Sequence, residues 1–251
     1  MQINPNNLRK HILKMVYDKK SGHIGGSFSI CEIIACLYSN YDLINKDKLI
    51  LSKGHAVPAI YAALYELGLI KSLDSFREID SPLQGHPDKN MLKYIHATTG
   101  SLGQGLSIAI GHALAGKLKK VDNKVFCIVG DGEMQEGQIW EALMLAPVYN
   151  LDNLVCFIDK NKMQNDGKLL GSRLFEEKIE PLGWDIREID GHNIPEIQRI
   201  LNQKQNVPLC VILNTIKGKG VSFMENDNFW HAGVPTQEQY DRAMSELDGK
   251  L

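Results

Sequence analysis

Two segments of this chain put oxygen donors where an apolar strand should end. Val125-Phe-Cys-Ile-Val129 runs into Gly130-Asp-Gly-Glu-Met-Gln-Glu-Gly137, and a second apolar run leads into Asp159-Lys-Asn-Lys-Met-Gln-Asn-Asp-Gly167. Near-continuous apolar strands suit a parallel sheet covered on both faces, and the glycines beside Asp131 let the backbone approach a ligand closely. Ligands of open α/β sheets collect in the crevice outside the strands' carboxyl ends. There Asp131 would offer a carboxylate, Asn161 a side-chain amide and the backbone near Met163 a carbonyl. Mg²⁺ takes oxygen ligands in octahedral geometry at about 2.0–2.1 Å and commonly completes its shell with phosphate and water oxygens. The two segments therefore read together as a magnesium-diphosphate site. Alone, the first could be a hairpin turn and the second a solvated loop; their joint occurrence, each behind an apolar strand, argues against both.

Histidines form the second constellation. His23, His55, His86 and His231 stand beside glycine, alanine or proline in loop-like sequence, where a side chain can project into a cleft. An imidazole near its unperturbed pKa of about 6.5 donates or accepts a proton at neutral pH, and several around one carbonyl could steady an alkoxide. His11, His96, His112 and His192 lack such surroundings and read as structural or surface residues.

These groups need a scaffold. Helices are expected around Leu8–Tyr17 and Ser29–Ser39, a short strand at Lys48–Leu51, and a helix opened by the glycine of Ser52-Lys-Gly-His. Thr99-Gly-Ser-Leu-Gly-Gln-Gly105 should open a small-residue helix over Gly103–Lys119, able to pack close to a neighbour. Strands and helices then alternate over 125–129, 137–149, 153–158, 184–189, 195–204 and 209–214. That alternation predicts the α/β class: a doubly wound, mainly parallel sheet flanked by helices. Residues 1–251 are read as a single domain with an irregular excursion near 73–96 and a C-terminal extension near 222–251. Irregular segments of that length inside compact domains are usually functional. There is no internal repeat and no low-complexity linker.

Composition narrows the classes. Apolar residues make up 43% of the chain and the formal charge is −2, which gives no electrostatic reason to expect nucleic acid or an anionic membrane as partner. Apolar stretches are too short to span a bilayer, and the first residues lack a signal-peptide pattern. A cytoplasmic location is expected. The five cysteines, Cys31, Cys36, Cys127, Cys156 and Cys210, are odd in number and mostly in apolar runs, so they read as reduced core residues without zinc-ligand spacing.

Gly130–Gly137 with Asp159-Lys-Asn-Lys162 resembles the thiamine-diphosphate motif of transketolases. Ser21-Gly-His-Ile-Gly-Gly26, Ser52-Lys-Gly-His-Ala56, Gly85-His-Pro-Asp88 and Thr98-Thr-Gly-Ser-Leu-Gly-Gln-Gly105 follow in that family's order, so the likeness covers about residues 7 to 235. Lys160 departs from it, standing where the broader motif often has asparagine. The resemblance implies thiamine diphosphate with Mg²⁺ (or Ca²⁺) as cofactors. Asp131, Asn161 and the backbone near Met163 would hold the metal. Gly132, Asn161, His55, Gly100 and Leu102 would hold the cofactor. His23 and His86 would face the sugar substrate, with His231, in a looser part of the match, as a further catalytic histidine.

Glu136 would otherwise pass for a favourable acid at a helix N-terminus. By resemblance it belongs with the catalytic set, at a subunit interface, hydrogen-bonded towards the glutamate that activates the cofactor's aminopyrimidine. That glutamate would come from another polypeptide, because only the N-terminal, diphosphate-binding portion of a transketolase corresponds. The resemblance thus implies one subunit of a split transketolase. It would be active only with a C-terminal subunit carrying the pyrimidine-binding domain, in an α2β2 heterotetramer. The expected reaction moves a two-carbon ketol group from a ketose to an aldose, phosphorylated by default. Two alternatives are a subunit of another thiamine-diphosphate enzyme, such as a deoxyxylulose-phosphate synthase or a 2-oxoacid dehydrogenase α chain, and a non-catalytic regulatory half.

Overall fold

The computed structural model describes residues 2–164, 167–168 and 175–250. Asn165 and Asp166, within the second motif segment, lie outside the described residues. Helix α1 (Pro5–Lys19) starts where Asn4 accepts the Asn6 N–H, with Pro5 preset for the first turn, and stops at Lys20 in the left-handed region. Leu8, Ile12, Leu13 and Val16 form its buried stripe. There follow α2 (Gly25–Phe28), α3 (Cys31–Asn40), β1 (Lys48–Leu51) and α4 (Pro58–Glu66). No helix or strand occurs from there to α5 (Gly105–Leu118), which leaves the expected excursion irregular. Then come β2 (Val125–Gly130), α6 (Gly137–Val148), β3 (Leu154–Lys160), the two-residue pair β4 (Met163–Gln164) and β5 (Gly167–Lys168), and α7 (Phe175–Ile179). The chain continues through β6 (Asp185–Asp190), α8 (Ile194–Leu201), β7 (Leu209–Asn214) and α9 (Gln237–Leu247).

The main sheet has the order β1-β2-β3-β7-β6, and every adjacent pair in it is parallel. Side chains alternate between two cores. Phe126, Ile128, Val155, Phe157, Val211 and Leu213 face the helices α1, α3, α4, α8 and α9. Val125, Cys127, Val129, Cys156, Ile158 and Ile212 face α5, α6 and α7. Burial of both faces is why these strands are apolar without alternation. Ala243 and Leu247 of α9 join the first core, so the segment read as an extension packs into the body of the fold. All five cysteines are free and buried. Among the described residues no helix is long and apolar enough to cross a membrane.

Strand β1 is an edge, and an open edge needs partners for its outward N–H groups. His96, from the excursion, supplies one: its Nδ1 accepts the Leu49 N–H at 3.0 Å. Burial, with Lys48 adding to it, pushes the His96 pKa down to about 4. The unfolded chain takes up this proton near pH 6.5 and the folded one does not until about 4, so stability is lost as pH falls through that window. Asparagine can accept the same N–H and cannot titrate. The stability of wild type relative to His96→Asn should therefore fall by roughly 1 kcal/mol per pH unit between 6.5 and 4. Urea titrations of both proteins across that range check it, and parallel pH profiles would count against it.

Candidate active site

The parallel sheet brings its five carboxyl ends to one side, and polar residues that are remote in sequence meet there. Ser52, Lys53 and His55 follow β1, Asp131 to Glu133 follow β2, Asn161 and Met163 follow β3, Thr215 and Lys217 follow β7, and His192 follows β6. In the register, Gly130 stands beside Asp159, so Asp131 and Asn161 leave adjacent strand tips. They open into a cleft of about 360 Å³ whose walls include His23, His55, His86, Gly100, Leu102, Gly132, Met163 and His231. The structure thus gathers the expected site residues into one place, Glu136 excepted. Glu136 is exposed at the N-cap of α6, with its Cβ against Gly103, and does not line the cleft.

Asp131 is buried, accepting N–H groups from Gly132 at 2.8 Å and Lys162 at 2.5 Å. The N–H of Gly132, a residue expected to hold the cofactor, is thus engaged by its neighbour's carboxylate. Burial and then the nearby Asp159 charge push the Asp131 pKa up to about 7 against these two donors. Asn161 Oδ1 accepts the Met163 N–H at 3.1 Å and keeps a second lone pair, while its Nδ2 donates to Asp159. Among the described residues no three His, Cys, Asp or Glu side chains converge on a metal position. One carboxylate and neutral oxygens suit an ion that draws its remaining ligands from phosphate and water, which is the habit of Mg²⁺.

Four polar residues in this site escaped the sequence reading. Asp159, wholly buried, pairs with Lys53 at 2.5 Å and accepts from Ser29 at 2.7 Å and from Thr215. Burial opposes its charge, but Lys53, Thr215 and Ser29 outweigh it and hold the carboxyl below its usual range. Lys53 also donates to Gly26 O at 2.8 Å. Glu133 accepts from Ser52 Oγ at 2.5 Å, Gly103 N–H at 2.9 Å and Gly130 N–H at 3.0 Å, tying three segments under the cleft floor. The contact of α5 with this floor is close: a Cβ at Gly105 would stand 2.5 Å from Ser52. Lys217 donates to Asn228 at 3.1 Å and lies 3.2 Å from His231 Nδ1. Burial, with Lys53 second, pulls the Lys217 pKa down to about 8. Only the motifs' neighbouring lysines and acids hinted at these roles.

The histidines cluster around His23, whose ring lies 5.4 Å from His55, 6.1 Å from His86 and 5.3 Å from His231. Their titration differs from the expectation of near-unperturbed imidazoles. Burial first, then His231 and Arg77, pushes His23 down to about 4. Burial and Lys53 hold His55 well below 6.5, and burial and Arg77 lower His86. All three shifts favour the neutral ring, and among the described residues the buried His23 Nδ1 has no hydrogen-bond partner. Gly100 lets the His86 ring approach, its Cβ position lying 3.5 Å from the imidazole. His192 is structural, joining Glu32 at 3.0 Å to the Ile216 N–H at 2.9 Å.

Residues 3–247 match the family described as transketolase, thiamine diphosphate binding domain. The chain is 42% identical to the 6-deoxy-6-sulfo-D-fructose transketolase subunit SqwG of Clostridium sp. (strain MSTE9), over 99% of this chain and 96% of that protein. It is 37% identical to an apulose-4-phosphate transketolase subunit of Phocaeicola vulgatus, over 97% and 92%. The crystal structure of transketolase from Campylobacter jejuni superposes with a TM-score of 0.90 at 31% identity, covering 97% of this chain and 42% of that one. The chain therefore spans about two-fifths of that single-chain enzyme. Fold and site together define a thiamine-diphosphate-binding α/β protein. More particularly, the chain belongs to the transketolase family, as a transketolase subunit of the N-terminal, thiamine-diphosphate-binding kind.

Proposed function

We propose that this cleft binds thiamine diphosphate through Mg²⁺ (or Ca²⁺) held by Asp131, Asn161 and the main-chain carbonyl of Met163. Gly132, His55, Gly100 and Leu102 would line the cofactor. The chain would transfer a two-carbon ketol group from a ketose to an aldose only when joined to a C-terminal subunit carrying the pyrimidine-binding domain, in a cytoplasmic α2β2 assembly. Residues 1–251 would act as one domain within it. The observation that carries this reading is the convergence of Asp131 and Asn161, from adjacent strand tips, on the cleft that also holds the four histidines. The split arrangement is supported by relatives that are themselves called subunits and match this chain over nearly their whole length.

When bound, thiamine diphosphate supplies a carbanion at its thiazolium C2 and a sink for the electrons released by C–C cleavage. The chain's own residues orient the sugar and handle protons. His23 and His86 would exchange hydrogen bonds with substrate hydroxyl and carbonyl oxygens, and the His23 Nδ1, which has no hydrogen-bond partner among the described residues, is the atom best placed to gain one. Lys217, pulled to about 8 and in contact with His231, is poised to exchange a proton near neutral pH. Glu136, exposed outside the cleft, would work from the subunit interface. The relatives' names point to anionic sugars of unlike structure.

Purified chain with Mg²⁺ and thiamine diphosphate should show no transfer from xylulose 5-phosphate to ribose 5-phosphate, and adding the pyrimidine-domain subunit should restore it. Robust turnover by the chain alone would refute the split reading. Decarboxylation of pyruvate by the pair would favour a 2-oxoacid enzyme instead.

A further inference from the structure

Strands β6 and β7 end together, Asp190 opposite Asn214, and the chain leaving β7 runs on into the reaction cleft. Its Thr215 N–H still bonds β3, at Lys160 O, 3.3 Å. Backbone donors alternate sides along a strand, so the next one, the Ile216 N–H, points to the side where β6 has stopped. His192 Nε2 takes it there at 2.9 Å. A backbone N–H only donates, so this nitrogen accepts, and the ring proton sits on Nδ1, 3.0 Å from Glu32 Oε2. Glu32 is held in turn by Arg9, whose Nη2 lies 2.7 Å from both carboxylate oxygens. Glu32 and Arg9 are 6% and 2% exposed. Burial opposes the Glu32 charge, but His192 and Arg9 outweigh it and hold the carboxyl below its usual range. The turn that carries the ring is pinned as well: Asp190 accepts the His192 N–H at 2.9 Å, Asn193 caps α8, and a Cβ at Gly191 would run into the Thr215 methyl. A fixed carboxylate thus selects one tautomer and aims its bare nitrogen at one backbone position.

That position adjoins Lys217. The Lys217 ammonium lies in the reaction cleft, bonded to Asn228 at 3.1 Å and 3.2 Å from His231 Nδ1. Its stem has little slack, since a Cβ at Gly25 would stand 2.9 Å from Lys217 Cγ and the Gly218 N–H bonds Gly25 O at 3.1 Å. In packing this close, a shift of the Ile216 backbone is carried to the ammonium. His192 itself does not line the cleft. We propose that its join is more than a brace: His192, oriented by the Glu32–Arg9 pair, is a positioning residue that sets Lys217 against His231 through the Ile216 N–H. This rests on the reading above in which Lys217 exchanges a proton.

The test separates the ring's two nitrogens. Glutamine places an acceptor where Nε2 stands, so His192→Gln keeps the bond to Ile216; asparagine places a donor where Nδ1 stands, so His192→Asn keeps only the bond to Glu32. In ketol transfer by the two-chain enzyme, kcat should fall at least about tenfold in His192→Asn with KM within about threefold of wild type, and His192→Gln should recover most of the loss. Equal kcat in the two variants, or a kcat in His192→Asn within about twofold of wild type, overturns the assignment. Lysine ¹³Cε NMR of the isolated chain reads the same contact without turnover. The Lys217 signal should titrate near 8 in wild type and His192→Gln, and closer to the ordinary lysine range in His192→Asn. An unchanged Lys217 titration in His192→Asn rejects the positioning role. Imidazole ¹⁵N NMR of wild type needs no variant to fold: a His192 proton on Nδ1 supports the assignment and one on Nε2 rejects it. Absence of any ketol transfer by the wild-type pair would instead overturn the reaction proposed above, and the two NMR readings then decide the positioning role alone.

Discussion

Replacing Asp131 by alanine should reduce ketol transfer by the two-chain enzyme about 10²- to 10⁴-fold and abolish Mg²⁺-dependent retention of thiamine diphosphate. The size follows from the charge count. Asp131 is the sole carboxylate proposed for the ion, and metal stabilisation of phosphate charge is worth several kcal/mol, with each 1.36 kcal/mol a factor of ten in rate. Stability should move differently. The Asp131 pKa is raised to about 7 because the folded state disfavours the charge. Above that pH the ionised group therefore costs stability relative to the unfolded chain, where it titrates near 3.9. Asp131→Asn keeps the shape without the charge and should match or exceed wild-type stability at pH 8 while losing activity. Calorimetric titration with Mg²⁺ and thiamine diphosphate, alongside urea unfolding, reads both quantities. Intact turnover in Asp131→Ala would remove the basis of the proposed function.

The largest loss of stability should come from Asp159→Ala. Asp159 and Lys53 are 0% and 2% exposed and 2.5 Å apart, so removing the acid strands a buried ammonium whose remaining partner is Gly26 O. Breaking such a pair typically costs about 3–5 kcal/mol, which in a domain of this size lowers Tm by roughly 10 °C. Ser29, Thr215 and Asn161 lose an acceptor at the same time. Through Asn161 the damage should reach cofactor affinity. Lys53→Met with Asp159→Leu removes both charges and should recover part of the loss, as pairs replaced together by apolar residues often do. A single-variant cost below about 1 kcal/mol in denaturant unfolding would show that the pair does not brace the site.

The scaffold was legible because its signals are local. Val125–Val129 and 209–214 are apolar enough to announce strands buried on both faces, and glycines mark the turns where Asp131 and the small-residue helix begin. β1 lies where the sequence put it, and the β2 and β3 boundaries fall within two residues of those read from the sequence. The histidine positions were also readable, from Gly-His and His-Pro neighbours that keep an imidazole in a loop.

What the sequence determined by itself was thus the order of strands and helices and the residue types left at the strand ends. Only the tertiary structure decided which of these meet and in what state of charge. Lys53 finds Asp159 across 106 residues, Ser52 finds Glu133 across 81, and Arg77 finds Ser21 across 56. Burial lowers the pKa values of His23, His55 and His86 from the ordinary imidazole value that the sequence suggested. The physical reason is one of range. Backbone preference and hydrophobic periodicity act over a few neighbouring residues, whereas desolvation and Coulomb energy sum over every group that folding brings close.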